Sequence, residues 1–179
     1  MLQRIAVCYL LASVVYLNTS TRGQIKIIVS VLVGYWLMMK LIPVPEIGAG
    51  VFEKGKNFAA YIDSLFLNGH IWSVTKTWDP EGIISTIPAI ATTLLGALTG
   101  DYLRSTIHSK EEKTNWMFVY GSGLLLIGAA LDMWMPINKS LWTTSYTIFM
   151  AGWALVIFSL FYFLIDVKGY KKWATPFIM

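Results

Sequence analysis

The stretch WDPEG places two carboxylates, Asp79 and Glu81, on either side of a proline and directly before a long apolar segment. Carboxylates at the mouth of such a segment can bind an ammonium group or orient a general base. They also suit the start of a helix, since Asp79 is a good N-cap, Pro80 fits the first helical position and Glu81 favours the positive end of the helix dipole. The residue types leave both interpretations open.

His70 is the nearest histidine to these acids, in the sequence FLNGHIWSVTKTWDPEG. A histidine beside a carboxylate is the usual pairing for general-base catalysis, although a histidine in a connecting loop is more often simply solvated. His108 lies in a short charged connection, and we interpret it as solvated surface. The sequence contains no HxxxH or HExxH spacing, so we expect no metal site.

A third candidate group lies in DMWMPINKSLWTTSY, between two apolar blocks. An amide, a cation, an indole and a hydroxyl occur there within eight residues, at Asn138, Lys139, Trp142 and Ser145. Asp132 falls near the end of the preceding block, where an ionisable residue suggests a function. The alternative is a polar turn in which Lys139 pairs with Asp132 and Trp142 belongs to an interfacial aromatic belt. We favour substrate binding for the four residues.

These groups must be positioned by membrane-embedded elements, because the composition excludes an ordinary soluble domain. The chain is 56% hydrophobic and only 13% charged, with a mean hydropathy of +0.59, whereas soluble domains are roughly a quarter charged. The net charge of +4 is spread over the connections, which gives no footprint for nucleic acid. Cys8 is the single cysteine, so no internal disulfide is possible.

Five apolar blocks are long enough, or nearly so, to cross a bilayer as helices of about 20 residues. They cover 5–17, 27–44, 83–100, 116–131 and 141–165. The sequence therefore predicts an all-α fold, a polytopic transmembrane helical bundle that forms a single domain over 1–179. Within it, the connection 45–80 carries Phe58, Tyr61, Ile62 and Leu65 at helical spacing, which predicts a short interfacial helix.

Lysine and arginine predict the orientation of the bundle. One side of the predicted spans carries Arg22, Lys26, Arg104, Lys110, Lys113, Lys168, Lys171 and Lys172. The positive-inside rule puts that side in the cytoplasm. The C-terminal end is then cytoplasmic, and the connection 45–80 faces outward.

The third block has small residues along one side, namely Ser85, Ala89, Thr92, Gly96 and Gly100. Small residues let two helices approach closely, and we favour close helix packing over a substrate-lined face. Pro88 lies in the same block, where it predicts a kink or an unsatisfied carbonyl.

Three stretches in this order, LQRIAVCYLL, WDPEGIISTIPAIATTLLG and PINKSLWTTSYTIFMAGWAL, resemble the heparan-α-glucosaminide N-acetyltransferase family, and the bacterial members most of all. The resemblance implies a multi-helix enzyme that moves acetyl from acetyl-CoA to a glucosamine-type amine across the membrane. It also implies about eleven spans in the whole family protein. This chain would then be a middle piece, incomplete at both ends and inactive by itself.

The resemblance also implies roles for the candidate residues. The proposed family histidine would precede the LQR motif, outside this chain, so no catalytic residue is assigned here. His70 matches a histidine that the family often shows upstream of DPEG, and it is taken as a site-lining residue. Asp79 and Glu81 would bind the acceptor ammonium or orient a base. Asn138 or Lys139 would polarise the thioester carbonyl or meet CoA phosphates.

The expected partners are the lipid bilayer, an amino-sugar or glycan acceptor and a second copy in a homodimer, with no nucleic acid. The expected location is the bacterial inner membrane, with the connection 45–80 in the periplasm. A different class of function stays open, a helical transporter or solute-binding membrane protein without chemistry. Pro88 and the small-residue helix suit that class equally well. A purely structural membrane subunit is disfavoured by Asp132 and by the two polar connections.

Overall fold

The computed structural model describes residues 2–171, and these form an all-helical bundle with no strand in the described part. The α-helices are α1 (Leu2–Asn18), α2 (Thr21–Leu41), α3 (Phe58–Phe66), α4 (Ile83–Arg104), α5 (Lys110–Leu131) and α6 (Thr144–Tyr162). A short π-helical turn, Phe163–Val167, continues α6. The prediction of an all-α membrane bundle is confirmed. Lys172 and the C-terminal end, predicted to be cytoplasmic, lie outside the described residues.

Four of these helices, α2, α4, α5 and α6 with its π-helical turn, are long and apolar enough to cross a membrane. Helix α1 is apolar but has only 17 residues. At 1.5 Å per residue it is about 26 Å long, a few ångströms short of a typical hydrocarbon core. The prediction of five apolar helices is therefore confirmed, with four of them long enough to span and the first, as predicted, short.

Helices α1, α4 and α6 begin at the same end of the bundle. The Arg4 side chain at the start of α1 donates to the Ser85 carbonyl at the start of α4 and lies against the ring of Trp142, just before α6. Near the other end, the Tyr16 hydroxyl donates to Asp101 Oδ1 at 2.6 Å. The connections 42–82 and 132–143 thus share one end, which we call the loop end. The opposite end is the Arg104 end.

Helix α2 packs against α4 and α6 through two buried clusters. One joins Ala12, Ile28, Leu32, Ala91 and Leu94, and the other joins Tyr35, Met39, Ala59, Met135 and Leu141. Two polar contacts fix the register of α2 against the start of α6. The Tyr35 hydroxyl donates to the Leu141 carbonyl at 2.6 Å, and the Thr144 hydroxyl donates to the Leu32 carbonyl at 2.8 Å.

The short helix predicted in the long connection is present as α3, and its position in the membrane interface stays a prediction. Its buried residues are Ala59, Ala60 and Asp63, whereas Leu65 is exposed. Phe58, Tyr61, Ile62 and Leu65, the face expected to enter the interface, are therefore not the face that α3 buries most deeply. The small side chains of Ala59 and Ala60 let α3 approach α2 and α4 closely enough for Asp63 to reach α4.

The close glycine-mediated packing occurs between α5 and α6. A Cβ on Gly128 would lie 2.7 Å from the backbone of Phe149, and one on Gly152 would lie 2.7 Å from the Leu125 nitrogen. On α4, by contrast, a Cβ on Gly96 or Gly100 would meet nothing within 4 Å. The interpretation of the α4 stripe as a close helix contact is therefore wrong at these two glycines within residues 2–171.

We expect Gly128→Ala to lower the free energy of unfolding by about 1–3 kcal/mol, because the new methyl group has no room against Phe149. The matched variant Gly96→Ala should raise it by about 0.5–1 kcal/mol, because alanine restricts the unfolded chain and meets no neighbour. Thermal unfolding in detergent, followed by circular dichroism, measures both. Equal stabilities of the two variants would contradict the packing described here.

Candidate functional site

Asp79 orders the chain before α4 and does not cap that helix. Its Oδ1 accepts a hydrogen bond from the Glu81 nitrogen at 2.8 Å, and its Oδ2 accepts one from the Trp72 nitrogen at 3.2 Å. Helix α4 begins at Ile83, with Gly82 at the N-cap position. The assignment of Asp79 as N-cap and Pro80 as first helical residue is therefore wrong. The Asp79 carboxylate instead closes a tight turn over Pro80 and holds the loop at Trp72.

The cap of α4 comes from another helix. Asp63 of α3 is 2% exposed; its Oδ1 accepts from the Ile83 nitrogen at 3.0 Å and its Oδ2 accepts from the Asp79 nitrogen at 3.3 Å. A side chain at position 82 would collide with this carboxylate, which explains the glycine of DPEG. Asp63 is not among the residues predicted from the sequence, where the available signal was an aspartate inside the otherwise apolar helix FAAYIDSLF.

Opposing influences act on the Asp63 carboxyl. Burial raises its pKa above the ordinary value, the backbone donors of Asp79 and Ile83 lower it, and the nearby Asp79 carboxylate raises it further. Burial is the largest influence, so the pKa is raised. The carboxyl therefore binds its proton more tightly in the folded chain than in the unfolded chain.

Three of the predicted site residues line a common cleft at the loop end. His70, Trp72, Asp79, Pro80 and Glu81 surround a volume of about 530 Å³. His70 and Trp72 are exposed, while Asp79 and Glu81 are half-buried. The cleft thus presents two carboxylates and an imidazole from a segment of twelve residues. An opening of this kind suits a polar, cationic ligand.

Arg4 connects this cleft to the second polar connection. Its Nη1 donates to the Pro80 carbonyl at 2.8 Å, and its Nη2 donates to the Ser85 carbonyl. The guanidinium carbon lies 4.5 Å from the centroid of the Trp142 ring, a cation–π contact. No role was predicted for Arg4 from the sequence, although a lone arginine within the first turn of an apolar helix was a signal.

Trp142 is held in a backbone conformation that a bulky residue rarely adopts, with φ of 53°. Three contacts hold it there. The indole nitrogen donates to the Thr92 hydroxyl at 3.1 Å, the ring packs edge-on against Tyr146 at 5.4 Å, and Arg4 covers its face. Such strain persists only where the surroundings fix it. Trp142 is therefore a point at which α1, α4 and α6 are joined.

The other candidates of this connection stand apart from the His70 cleft. Asn138 Oδ1 accepts from the Ser140 nitrogen at 2.9 Å, and the Asn138 nitrogen donates to the Thr143 hydroxyl at 3.0 Å. Ser145 is fully buried, with its hydroxyl 3.1 Å from that of Thr143. Lys139 is exposed. Asn138 and Ser145 thus shape the turn that presents Lys139 and Trp142.

The alternative pairing of Lys139 with Asp132 is not formed, since no such ion pair within 4 Å exists among residues 2–171. Asp132 Oδ1 instead accepts from the Ile137 nitrogen at 2.6 Å. His108 belongs to another region. Its Nδ1 lies 3.6 Å from Glu112 and its ring packs against Tyr102. In the described part of the chain, no three histidine, cysteine or acidic side chains cluster in a way that could hold a metal ion.

Two known proteins are similar to this chain. The heparan-alpha-glucosaminide N-acetyltransferase of Homo sapiens is 32% identical over a stretch that covers 84% of this chain and 27% of the human protein. The protein of the same name from Mus musculus is 28% identical over 66% of this chain and 20% of its own length. The chain therefore spans about a quarter of the length of these relatives. No family model matches it.

A double-mutant cycle tests the Arg4–Trp142 contact. We expect Arg4→Met and Trp142→Leu to be non-additive, with a coupling of about 0.5–2 kcal/mol in the free energy of unfolding, because the guanidinium lies against the ring in partly buried surroundings. The matched pair is Lys40 and Trp36, where an exposed ammonium lies 5.0 Å from a ring centroid. That pair should couple by less, at about 0.5 kcal/mol. Additivity of the Arg4 and Trp142 variants would exclude the proposed link.

The raised pKa of Asp63 predicts a pH dependence of stability. Because the folded pKa lies above the ordinary value of 3.8, the contribution of this carboxyl is complete below that value and is lost as pH rises through the folded pKa. We therefore expect the stability of the natural chain, relative to Asp63→Asn, to fall as pH rises from about 4 towards 7. Thermal unfolding of both proteins across this range measures the difference. If the stability of the natural chain relative to Asp63→Asn instead rises with pH, the backbone donors lower the Asp63 pKa by more than burial raises it.

Proposed function

This chain is a relative of the heparan-alpha-glucosaminide N-acetyltransferases, and on that premise we propose that its loop-end cleft receives the amine of an amino sugar for acetylation. The relatives are N-acetyltransferases by name, and the chain has four helices able to cross a membrane. The donor in this proposal is acetyl-CoA, and the acceptor is a glucosamine-type sugar or glycan. The part of the chain described here would bind the acceptor and order the two polar connections.

The observation that carries the proposal is that His70, Asp79 and Glu81 line one cleft. An amine acceptor is an ammonium ion at neutral pH and must lose a proton before it attacks a thioester. Among the described residues, two carboxylates and no lysine or arginine line this cleft, which favours a cationic ligand. Asp79 and Glu81 would hold the ammonium, and His70 would line its approach.

In this proposal the connection 132–143 contacts the acyl donor, acetyl-CoA. Lys139 is exposed, and an ammonium there would polarise the thioester carbonyl or meet a phosphate of CoA. Asn138 and Ser145 are engaged in hydrogen bonds of the turn, so we assign them to positioning. Trp142, joined to the acceptor cleft through Arg4, would keep the two connections at a fixed distance during transfer.

The orientation and location follow from the same proposal. The exposed cations Arg22, Lys26, Arg104 and Lys110 lie towards the Arg104 end, which the positive-inside rule assigns to the cytoplasm. The loop end, and with it the amino-sugar cleft, would then face outward. In a bacterial cell this would be the periplasmic side of the inner membrane, with the protein present as a homodimer.

A second candidate function is a helical transporter or solute-binding membrane protein that performs no chemistry. The observation in its favour is that Gly96 and Gly100 of α4 meet no neighbour, and they line grooves on both sides of that helix. A solute path along α4 would use such grooves. Dependence on acetyl-CoA separates the two functions, because a transporter needs no thioester donor.

Transfer of labelled acetyl from acetyl-CoA to a panel of amino sugars tests the proposal, using the whole gene product that contains this chain. We expect Glu81→Gln to lower kcat/KM for the sugar by about 10–100-fold, mainly through KM, because a charge-assisted contact to the ammonium is lost. The matched control is Glu53→Gln, which removes an exposed carboxylate of the same connection and should leave transfer unchanged.

Two results would contradict the proposal. Equal transfer by the natural protein and Glu81→Gln would remove this carboxylate from the acceptor site. Binding of amino sugars without any transfer of label would favour the solute-binding function instead.

A further inference from the structure

A second cleft lies towards the Arg104 end, between α1 and α4, and the proposed acetyl transfer does not use it. It encloses about 330 Å³, and its polar lining comes from Tyr9, Ser13, Tyr16, Thr93, Asp101 and Arg104. A carboxylate, a guanidinium and two phenolic hydroxyls thus share one opening. Helix α4 is a candidate span that ends at Arg104, so the charged part of the cleft falls at the level where lipid headgroups meet water.

The two charged groups of this cleft are separated and do not neutralise each other. Asp101 Oδ1 accepts from the Tyr16 hydroxyl at 2.6 Å, and its other carboxylate oxygen accepts no hydrogen bond from residues 2–171. Arg104 is exposed, and no carboxylate of the described chain lies within 4 Å of its guanidinium. Residues three apart on a helix are neighbours on one face. The cleft therefore offers an acceptor for a cation beside a donor for an anion.

The remaining lining is small and apolar, with Ala12 on α1 and Gly96, Ala97 and Gly100 on α4. A Cβ on either glycine would meet nothing within 4 Å, so the surface of α4 stays open over about one turn next to the charged pair. A ligand with an acyl chain would find room there. The charged residues at the end of α4 are therefore placed to meet a lipid headgroup, and the small residues further along α4 are placed to meet its acyl chain.

We propose that this cleft binds a phospholipid whose headgroup carries a phosphate and a primary ammonium, that is, phosphatidylethanolamine. Arg104 holds the phosphate through charge-assisted hydrogen bonds, and Asp101 accepts from the ammonium. The first part of the acyl chain lies along Ala97 and Gly96. Basic pockets between membrane helices are known to bind lipid headgroups, and the carboxylate adds a preference for a headgroup that can donate.

The Tyr16–Asp101 bond also ties α1 to α4, which alone would account for those two residues. It accounts neither for Arg104 nor for the open glycines. The two explanations differ in their response to Tyr16→Phe, which removes the tie but leaves the carboxylate. Lipid retention should survive Tyr16→Phe. If the cluster is purely structural, Tyr16→Phe should reduce lipid retention as much as Asp101→Asn does.

The experiment measures lipid retained by the purified, delipidated protein in nanodiscs, by native mass spectrometry. Each disc contains phosphatidylcholine with added phosphatidylethanolamine or phosphatidylglycerol. We expect the natural protein to prefer phosphatidylethanolamine over phosphatidylcholine by about tenfold, because the quaternary ammonium of choline has no N–H to donate. Asp101→Asn should abolish this preference. Arg104→Gln should weaken retention of all three lipids by about tenfold, and Tyr16→Phe should keep the preference.

The matched control is Arg22→Gln, which removes an exposed cation at the same end that does not line the cleft; it should change nothing. Equal retention of phosphatidylethanolamine and phosphatidylcholine by the natural protein would overturn the proposal. An equal loss of the phosphatidylethanolamine preference in Tyr16→Phe and Asp101→Asn would also overturn the proposal, since it would show that the Tyr16–Asp101 bond is only a structural link between α1 and α4. The comparison of lipids in the natural protein decides the question even where a variant fails to fold.

Soluble competitors distinguish the sources of the phosphate. Phosphoethanolamine should compete at least tenfold more weakly than the lipid, because it lacks the chain that lies along α4. Competition as strong as that of the lipid would make the ligand a free phosphate compound. Displacement of the lipid by CoA would assign the cleft to the acyl donor. Either result would overturn the lipid proposal, and neither depends on the acetylation proposed for the other end.

Discussion

The arrangement of the loop end depends on the Arg4 guanidinium. A partly buried guanidinium is costly unless its donors and its charge are satisfied, and Arg4 finds two carbonyls of the α4 entry and the face of Trp142. These partners come from sequence positions more than 70 and 130 residues away. The requirement to satisfy one cation therefore positions the start of α1 against the start of α4 and against Trp142 before α6. The Nε atom is buried without a partner in the described chain, so the site is held by four of the five N–H groups at most.

A second dependence runs from Asp63 to the acids of the cleft. Because Asp63 satisfies the Ile83 nitrogen, α4 needs no cap from its own preceding residues, and Asp79 is free to bind the nitrogens of Glu81 and Trp72. Those bonds fold 72–81 into the wall of the cleft. Gly82 is required by the same arrangement, since only a residue without Cβ leaves room for the Asp63 carboxylate. Three acidic residues near the loop end thus differ in position: Asp63 caps α4, Asp79 folds the segment before it, and Glu81 lines the opening of the cleft.

Local patterns predicted the elements of this fold, and distant contacts determined the site. Long apolar blocks sufficed for the four spans, because length and hydropathy are properties of one segment. The cap was misassigned because the N-cap rule considers only adjacent residues, while the Asp63 carboxylate comes from a helix about 20 residues earlier.

The α4 glycines were misassigned for a related reason. A small-residue pattern says that a helix can be approached closely, but not which helix approaches it, and here α5 and α6 make the close pair. The grouping of His70 with Asp79 and Glu81 followed from their closeness in sequence. The link through Arg4 to Trp142 did not, since no pattern connects positions so far apart.

Polar contacts determine how the helices of this bundle pack to a greater extent than they would in a soluble protein. Apolar side chains of a membrane helix gain little by leaving lipid for another helix, because acyl chains are equally apolar. Helix α1 packs mainly on α4, and its register is fixed by Arg4 at one end and by Tyr16 at the other. Both contacts sit at helix ends, where the bilayer meets water and where the two clefts open. The groups that hold α1 in place are therefore neighbours of the residues that line the two clefts. In both proposals the ligand would bind beside a contact that positions α1, so its binding would change how firmly this helix is held against α4.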